Sequence, residues 1–402
     1  MASHQRRGVG IKDELTIMQL PVDFIALMRE HLGDAQAEAL FEGLRQPPTV
    51  SVRFNPLKTA HLTLNREALG DPVPWCPDAY YLSEHKAFTF DPLFHAGAYY
   101  VQDASSMYLS EVLRKFFPQE DTQGRAFLDL CAAPGGKSTL LASHLPKGSL
   151  LVSNEPIPKR AKVLAENMQK WGYPNTVVTQ NYPDNFTHLS RMFDFILTDV
   201  PCSGEGMFRK DETAVREWSL DNVRQCAARQ RDILRSILPT LKEGGLLVYS
   251  TCTFNRFEDE EQVQWLVSEY GLQLLEERHF FPGRDRGEGL YMAVLRNQGT
   301  TDSQGLKDLN FLKTLNVIAK VEDCKIDAQL ELTYEQAIAY LRREALHIEA
   351  PRGLVAVTYR GIPLGFAKSV GSRLNNLYPQ EWRIRTTYNP TEPVPQFFLP
   401  ES

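Results

Sequence analysis

The chain has 402 residues, of which 43% are hydrophobic and 23% are charged, and its formal net charge is −6. These values are typical of a globular protein with two or three domains and a sizeable core. No stretch approaches the roughly 18 consecutive apolar residues of a membrane span. The N-terminus lacks the apolar segment of a secretory signal. We therefore expect a cytoplasmic protein that does not contact a membrane.

The cysteines are scattered along the chain. A disulfide framework or a zinc site needs clustered spacing, which this sequence lacks, so we expect free thiols and no metal. Three of the six are interpreted as small buried apolar residues: Cys76, Cys226 and Cys324. The other three are Cys131, Cys202 and Cys252.

The N-terminal part mixes helical and extended patterns. Residues 20–44 have helical spacing of apolar residues that breaks near Gly33, which predicts two short helices. Residues 51–58 alternate like a strand, residues 71–95 are interpreted as irregular, and a helix is predicted at residues 105–117. A polar segment at 118–125 marks a boundary. We assign residues 1–120 to an α+β region that binds RNA, with Arg53 and Lys58 as candidate contacts.

From Ala126 strands alternate with helices, which predicts a doubly wound α/β domain over residues 121–299. Two of its helices are predicted at residues 223–242 and 257–270. Its seven predicted strands are residues 126–132, 149–155, 176–180, 193–200, 245–251, 272–277 and 290–296.

The C-terminal part, residues 300–402, begins with a linker at 300–305, followed by a partly helical segment to about residue 348. Residues 351–386 are basic, and VAVTYRGIPLGFAK is interpreted as a β-hairpin. They predict a small β-rich module that binds RNA, although an ordinary solvated β face would have the same pattern. The basic residues are Arg352, Arg360, Lys368, Arg373, Arg383 and Arg385.

Reactive side chains follow two of the predicted strands. One strand runs to Asp199 and is followed by Cys202, and another is followed by Ser250, Thr251 and Cys252. In a parallel sheet, ligands bind beyond the carboxyl ends of the strands, so one crevice should hold both thiols and the acid. Two thiols and an acid suit attack on C6 of a pyrimidine ring, after which C5 accepts a methyl group from a sulfonium donor.

A glycine-rich turn, DLCAAPGGKS, joins the first predicted strand to a helix, and SNEP with Glu155 ends the second. Such a turn lets the backbone approach a ligand closely, and an acid after the second strand is where related sheets bind ribose. The pattern therefore predicts a nucleoside cofactor, although Glu155 alone would also suit the start of a helix.

Four of these motifs together, DLCAAPGGK, SNE, TDVPCSGEG and YSTCT, resemble the Sun-type family of RNA cytosine-C5 methyltransferases. The C-terminal GLVAVTYRGIPLGF is similar to the last module of one bacterial group in it, the RsmF-type 16S rRNA methyltransferases. The resemblance implies a Rossmann-like methyltransferase domain, S-adenosyl-L-methionine as the cofactor, and 16S rRNA or the small ribosomal subunit as the partner.

By the same resemblance, Cys252 is the nucleophile, Cys202 helps release the product, and Asp199 contacts both the cytosine and the methyl donor. Glu155 would bind ribose, with Arg160 as a weaker candidate. The sequence departs from the family in one place. The acidic residue that often lies near the adenine in the family is replaced in the region around Tyr182. The turn that would hold the methionine part of the cofactor is Cys131, Ala132, Ala133, Pro134, Gly135, Gly136 and Lys137.

Two alternatives remain open from the sequence. The substrate would be tRNA if the C-terminal resemblance is misleading, and a ribosome-assembly factor without catalysis would also bind RNA. Arg209 and Lys210, just after the Cys202 loop, are candidate phosphate contacts or ordinary solvated residues. We expect a monomer.

Overall fold

The structure is a computed structural model that describes residues 19–84, 86–117, 124–299, 306, 309–321, 328–386, 388 and 394–400. Cys324 and the predicted linker at 300–305 lie outside the described residues. Within those ranges the strands form sheets of three, eight and four strands. No helix in the described part of the chain is long and apolar enough to cross a membrane.

A three-stranded antiparallel sheet lies in the N-terminal part, in the order β2-β1-β3. The helix break at Gly33 is confirmed, because Gly33 adopts a φ of 77° between two helices. The irregular interpretation of residues 71–95 is wrong for β2, because its buried residues pair with β1. The elements are α1 (Val22–Leu32), α2 (Asp34–Arg45), β1 (Val50–Phe54), α3 (Pro56–Thr59), β2 (Ala79–Leu82), α4 (Pro92–His95), β3 (Tyr99–Val101) and α5 (Leu109–Phe116).

The central domain is the predicted doubly wound sheet. All seven predicted strands are present, and their chain order numbered one to seven gives the spatial order 3-2-1-4-5-7-6. The elements are β4 (Ala126–Asp129), α6 (Gly136–His144), β5 (Leu150–Asn154), α7 (Pro158–Trp171), β6 (Thr176–Thr179), β7 (Phe193–Asp199), α8 (Glu212–Glu217), α9 (Leu220–Ile237), β8 (Leu241–Thr251), α10 (Glu260–Tyr270), β9 (Gln273–Phe280), β10 (Leu290–Arg296) and β11 (Val317–Val321).

Two predictions about this sheet need correction. The helix predicted to reach Lys242 ends at Ile237, because Pro239 lies in a tight turn and Lys242 already belongs to β8. The segment predicted as partly helical does hold a helix, at Tyr334–Leu341, but it also contains β11, which pairs antiparallel with β6 and makes an eighth strand beyond the seven predicted. β11 has only five residues, so its edge pairing with β6 decides its conformation.

The central strands are buried on both faces, as continuous apolar runs predict for parallel strands. Phe127, Leu151 and Phe195 pack under α5 and α6 on one face. Leu128 and Ile196 pack on the opposite face, against α9 and α10. The pairing register of these strands is therefore strongly determined, because a slip of one residue would exchange the two faces.

The C-terminal module is a four-stranded sheet that contains the predicted hairpin. It shares a hydrophobic core with the N-terminal part, since Phe398 packs 5.2 Å from Phe54 and Phe397 packs 5.1 Å from Tyr99 between ring centroids. The predicted domain boundaries stay predictions. The elements are β12 (Gln329–Glu331), α11 (Tyr334–Leu341), β13 (Gly353–Tyr359), β14 (Ile362–Ser369) and β15 (Leu374–Asn376).

Arg53 in β1 attaches the N-terminal part to the central domain. Its side chain is only 2% exposed and lies 4.6 Å from the ring centroid of Trp171. The guanidinium donates to Gln102 Oε1 at 3.0 Å and to Thr139 Oγ1 at 2.6 Å. It also donates to the carbonyl of Gly136, at the start of α6. The prediction that Arg53 contacts RNA is wrong, because the side chain is enclosed by protein.

Replacing this arginine should destabilise the fold. We expect Arg53→Met to lower the free energy of unfolding by about 3 kcal/mol, because buried acceptors lose a charged donor. Urea denaturation measures this. Arg45→Met, at an exposed residue of α2, is the control and should change stability by less than about 0.5 kcal/mol. Equal stability of the two variants would contradict the attachment role.

Candidate active site

Strands β7 and β8 bring the two thiol loops together. They pair in parallel with Asp199 opposite Ser250, so the loops that follow leave the sheet side by side. Cys202 Sγ and Cys252 Sγ lie 3.2 Å apart, and Ser250 Oγ donates to Asp199 Oδ1 at 2.7 Å. The structure thus brings together the two cysteines and the acid that the sequence placed at neighbouring strand ends.

The backbone of the SGEG segment supports the nucleophile loop. The amide of Gly206 donates to the carbonyl of Cys252 at 2.8 Å. A Cβ at Gly206 would lie 3.1 Å from that carbonyl oxygen and 3.3 Å from the Cys252 Cβ. Glycine is therefore needed here for close approach of the two loops.

A buried carboxylate lies under both loops. Glu205 is fully buried and accepts hydrogen bonds from the amide of Phe254 at 2.6 Å, from Trp218 Nε1 at 2.9 Å and from Asn255 Nδ2 at 2.8 Å. Burial raises the pKa of Glu205 to about 7. Its donors come from two segments of the chain, so this side chain fixes the position of the loop after Cys252 relative to Trp218.

The two thiols are not equivalent. The hydrogen bond with Cys252, followed by burial, holds the pKa of Cys202 well above its ordinary value. Cys202 therefore remains a neutral thiol in contact with the sulfur of Cys252. A neutral thiol in contact with the sulfur of Cys252 suits the assignment of Cys252 as the nucleophile.

Lys137 and Asp199 form an ion pair beside the thiols. Lys137 Nζ lies 2.8 Å from Asp199 Oδ2, and the lysine side chain is 13% exposed while the aspartate is 33% exposed. Burial acts to lower the pKa of Lys137, but the Asp199 carboxylate outweighs burial and raises it above its ordinary value. The ammonium is therefore charged at neutral pH and lies next to the acid expected to contact the base.

The glycine-rich turn forms one wall of the adjoining cavity. Gly135 adopts a φ of 117° at the start of α6, and the peptide bond between Ala133 and Pro134 is cis. Arg160 donates to the carbonyl of Ala133 at 3.0 Å. Burial raises the pKa of Cys131, so this thiol is neutral. The turn, Asp199 and Cys252 all line one cavity of about 360 Å³.

The turn fits the predicted cofactor. Asp129, below it, accepts from Ser138 Oγ at 2.6 Å through Oδ2. Its Oδ1 is buried and has no hydrogen-bond partner among the described residues. An unpaired carboxylate oxygen beside an open, glycine-lined cavity suits a cofactor that carries an ammonium group and needs close backbone approach.

Glu155 and Arg160 lie at the end of β5. Glu155 is 1% exposed and accepts a hydrogen bond from the amide of Ile157 at 2.9 Å. This is the contact expected of an acid at the start of a helix. Its other oxygen, Oε2, lies 3.5 Å from the guanidinium of Arg160. The role of Glu155 in binding ribose and the weaker assignment of Arg160 to the cofactor stay predictions.

Near the predicted adenine region, Tyr182 is 64% exposed and Asp184 accepts from Ser236 on α9. The neighbouring Asn181 is buried, and its Nδ2 has no partner within the described part of the chain. Of these three residues, Asn181 is the one whose buried side-chain NH₂ group is available to donate a hydrogen bond to a purine ring.

The structure corrects the interpretation of Arg209. Its guanidinium lies 2.8 Å from Glu288 Oε2, and both side chains are at most 5% exposed. This ion pair therefore joins the segment after the Cys202 loop to the loop before β10, so Arg209 does not serve as a phosphate contact. Lys210 is 35% exposed, lies 3.9 Å from Glu288 and lines the cavity.

Part of the cavity wall was missed from the sequence. The N-terminal YVQD stretch supplies Tyr100, Gln102 and Asp103, and the loop before β10 supplies Glu288. Asp103 Oδ1 accepts from the amide of Glu288 at 3.0 Å. In the sequence, the only sign of this wall was the pair of polar residues Gln102 and Asp103 directly after a strand. No local pattern shows that this pair reaches the cavity.

The sheet order and the cavity beyond the ends of β4, β7 and β8 define a Rossmann-like, S-adenosylmethionine-dependent methyltransferase. Three family profiles match the chain: "16S rRNA methyltransferase RsmB/F" at residues 116–296, "N-terminal domain of 16S rRNA methyltransferase RsmF" at 20–104, and "Methyltransferase RsmF PUA domain" at 328–384. The chain belongs to the RsmF family.

Curated relatives agree with this assignment. The ribosomal RNA small subunit methyltransferase F of Enterobacter sp. (strain 638) is 30% identical over 90% of this chain and 95% of its own length. The protein of the same name from Pectobacterium atrosepticum is 34% identical over 71% of this chain, although the match spans only 64% of that relative.

Solved structures show the same fold. A methyltransferase homologue from Pyrococcus horikoshii has a TM-score of 0.59 and 26% identity, covering 68% of this chain and 94% of its own. NSun6 from Pyrococcus horikoshii with SFG has a TM-score of 0.58 and 20% identity, covering 71% of this chain and all of that one.

The buried Asp129 predicts a pH dependence of stability. Burial raises its pKa to about 7, so the folded chain binds a proton that the unfolded chain lacks between about pH 4 and 7. The free energy of unfolding should therefore rise as the pH falls from 8 to 6, with about 1 kcal/mol from Asp129. Urea denaturation across this range should show a smaller rise for Asp129→Asn than for the wild type.

The control for this measurement is Asp184→Asn, at an exposed carboxylate, which should keep the rise of the wild-type chain. An unchanged rise in Asp129→Asn would show that Asp129 does not hold that proton.

Proposed function

We propose that this protein methylates C5 of cytosine in 16S rRNA, with S-adenosyl-L-methionine as the methyl donor and Cys252 as the nucleophile. The observation that carries the proposal is the pair of sulfurs 3.2 Å apart at the edge of the cavity that also holds Lys137 and Asp199. Membership of the RsmF family supports the substrate.

The first step is addition of the Cys252 thiolate to C6 of the cytosine ring. A new S–C6 bond forms, and the electrons of the C5–C6 double bond move toward C5 and the N3 side of the ring. Asp199 accepts a hydrogen bond from the exocyclic amine, and the ammonium of Lys137, 2.8 Å from Asp199, compensates the negative charge on the ring. S-adenosylmethionine, when bound, supplies an electrophilic methyl group on a sulfonium.

Release reverses the addition. After C5 carries the methyl group, its proton leaves to a base, the C5–C6 double bond re-forms, and the S–C6 bond to Cys252 breaks. Cys202 lies in direct contact with the departing sulfur, and its raised pKa keeps it a proton donor at neutral pH. We assign Cys202 to this release step.

The cofactor would lie against the glycine-rich turn. We assign residues 131–137 to the methionine part, Glu155 to the ribose hydroxyls, and Arg160 to a supporting contact through the Ala133 carbonyl and Glu155. Asp199, at the end of β7, lies between this region and the thiols. Asn181 is a further candidate contact for the adenine.

RNA would bind at the cavity and at the exposed basic residues of the C-terminal module. Arg360 is an exception, because it donates to the carbonyls of Phe398 and Leu399 and so holds the chain end. Binding through phosphate contacts should weaken as the salt concentration rises. The exposed basic residues assigned to it are Arg352, Lys368, Arg373, Arg383 and Arg385.

We also propose that the protein acts as a monomer in the cytoplasm. The two thiols, Lys137 and Asp199 all come from one chain, which supports a monomer. The match to a family named for 16S rRNA methyltransferases supports a cytoplasmic location, where ribosomal subunits are assembled.

The deciding experiment supplies tritiated S-adenosylmethionine with purified small ribosomal subunits, free rRNA and bulk tRNA, followed by nucleoside analysis. We expect label in 5-methylcytosine of rRNA. Cys252→Ala should lower methylation about a thousandfold or more, because the nucleophile is lost. Cys226→Ala, at a buried thiol on α9 outside the cavity, is the matched control and should retain activity.

Label in tRNA would overturn the choice of substrate while keeping the chemistry. Cofactor binding without label in any RNA would favour an assembly factor. Appreciable turnover by Cys252→Ala would remove that residue from the role of nucleophile.

A second variant tests the release step. Cys202→Ala should still form the bond between Cys252 and the RNA, but elimination should slow, so a protein–RNA adduct that resists denaturation should accumulate. Denaturing gel electrophoresis with labelled RNA measures it. The double variant that also carries Cys252→Ala should form no adduct. If Cys202→Ala forms none either, the release role is wrong.

A further inference from the structure

Behind the nucleophile loop lies a cluster of three side chains that the methylation chemistry does not use. Asp259 and Glu260 stand at the start of α10, and His279 lies on β9. His279 Nε2 is 3.5 Å from Asp259 Oδ2 and 3.8 Å from Glu260 Oε1. One ligand atom from each residue lies within 4.8 Å of the others.

Each of these side chains has a buried atom without a hydrogen-bond partner in the described part of the chain: Asp259 Oδ2, Glu260 Oε2 and His279 Nε2. Asp259 is fully buried. Buried polar atoms are nearly always paired, so three unpaired ones within one small cluster indicate that something satisfies them together. All three atoms can offer lone pairs, which suits a cation.

Nearby cations are bonded elsewhere. Arg256 donates to the carbonyl of His31 at 2.7 Å, and Arg284 donates to Asp285 Oδ2 at 2.9 Å. In the described part of the chain, neither guanidinium hydrogen-bonds or forms a close ion pair with the cluster. Among the described residues, no cationic side chain therefore hydrogen-bonds to the two carboxylates that face the imidazole nitrogen of His279.

We propose that Asp259, Glu260 and His279 bind a divalent first-row metal ion such as Zn²⁺. Metal–ligand bonds of about 2.0–2.2 Å in a tetrahedral site separate the ligand atoms by about 3.4 Å, close to the two distances between His279 and the carboxylates. An imidazole with carboxylates favours Zn²⁺ or Mn²⁺ over Mg²⁺ or Ca²⁺. Glu260 is 32% exposed, which leaves an entry path and a place for water.

The site was missed from the sequence because the acids and the histidine are far apart in the chain and no cysteine takes part. Its position suggests a positioning role. The other oxygen of Asp259 accepts from Thr251 Oγ1 at 2.5 Å and from Thr253 Oγ1 at 2.9 Å, the residues on either side of Cys252. A metal would thus connect β9 to the nucleophile loop.

Cobalt spectroscopy on the full wild-type chain tests the proposal without relying on methylation. The chain is dialysed against a chelator and titrated with Co²⁺, whose visible d–d bands report tetrahedral ligation. We expect one equivalent to bind with d–d bands but without the near-ultraviolet charge-transfer band of a cobalt–thiolate bond. Zinc should displace the cobalt, and elemental analysis should then give one zinc per chain.

His279→Gln should abolish the d–d bands. His188→Gln is the matched control, because His188 is exposed and bonds to Thr314 outside the cluster. Glu260→Gln is a second variant with less risk to folding, and its cobalt affinity should fall on the order of tenfold or more.

Three outcomes would overturn the proposal: no d–d bands in the wild-type chain, a thiolate band that places the metal at Cys202 and Cys252, or unchanged binding in both cluster variants.

Discussion

The parallel pairing of β7 with β8 is the constraint on which the candidate site depends. The register sets Asp199 opposite Ser250, so the loops carrying Cys202 and Cys252 leave the sheet at the same level. Both strands are buried on their two faces, and a slip of one residue would place apolar side chains on the wrong side of each. The 3.2 Å approach of the sulfurs is therefore a consequence of core packing as much as of the loops themselves.

Buried carboxylates keep these loops in place. Glu205 collects donors from the Phe254 amide, Trp218 and Asn255, and Glu258 accepts from Ser203 and Gln230. Burial raises the pKa of both acids. Burying such groups is costly unless they are hydrogen-bonded, so the network has little freedom to rearrange. A site that must bring one thiolate to a flat ring benefits from this rigidity.

The N-terminal part completes the cavity and shares a hydrophobic core with the C-terminal module. Arg53 joins β1 to the start of α6, and Phe54 and Phe398 bring the N-terminal and C-terminal parts into one core. Because of this attachment, Gln102 and Asp103 line the cavity next to the glycine-rich turn. The basic module is therefore held at a fixed place relative to the thiols, which suits a substrate much larger than one nucleotide.

The sequence by itself determined the fold class, the seven core strands and the residues of the two thiol loops. Those features are local: strands alternate with helices, and Asp199, Cys202 and Cys252 follow strand ends in a recognisable order. Only the tertiary structure decided that Arg53 and Arg209 are buried and paired with protein groups. It also decided that β11 joins the sheet edge and that His279 meets Asp259. These outcomes depend on contacts between distant segments, and no local pattern encodes which buried partner a charged side chain will find.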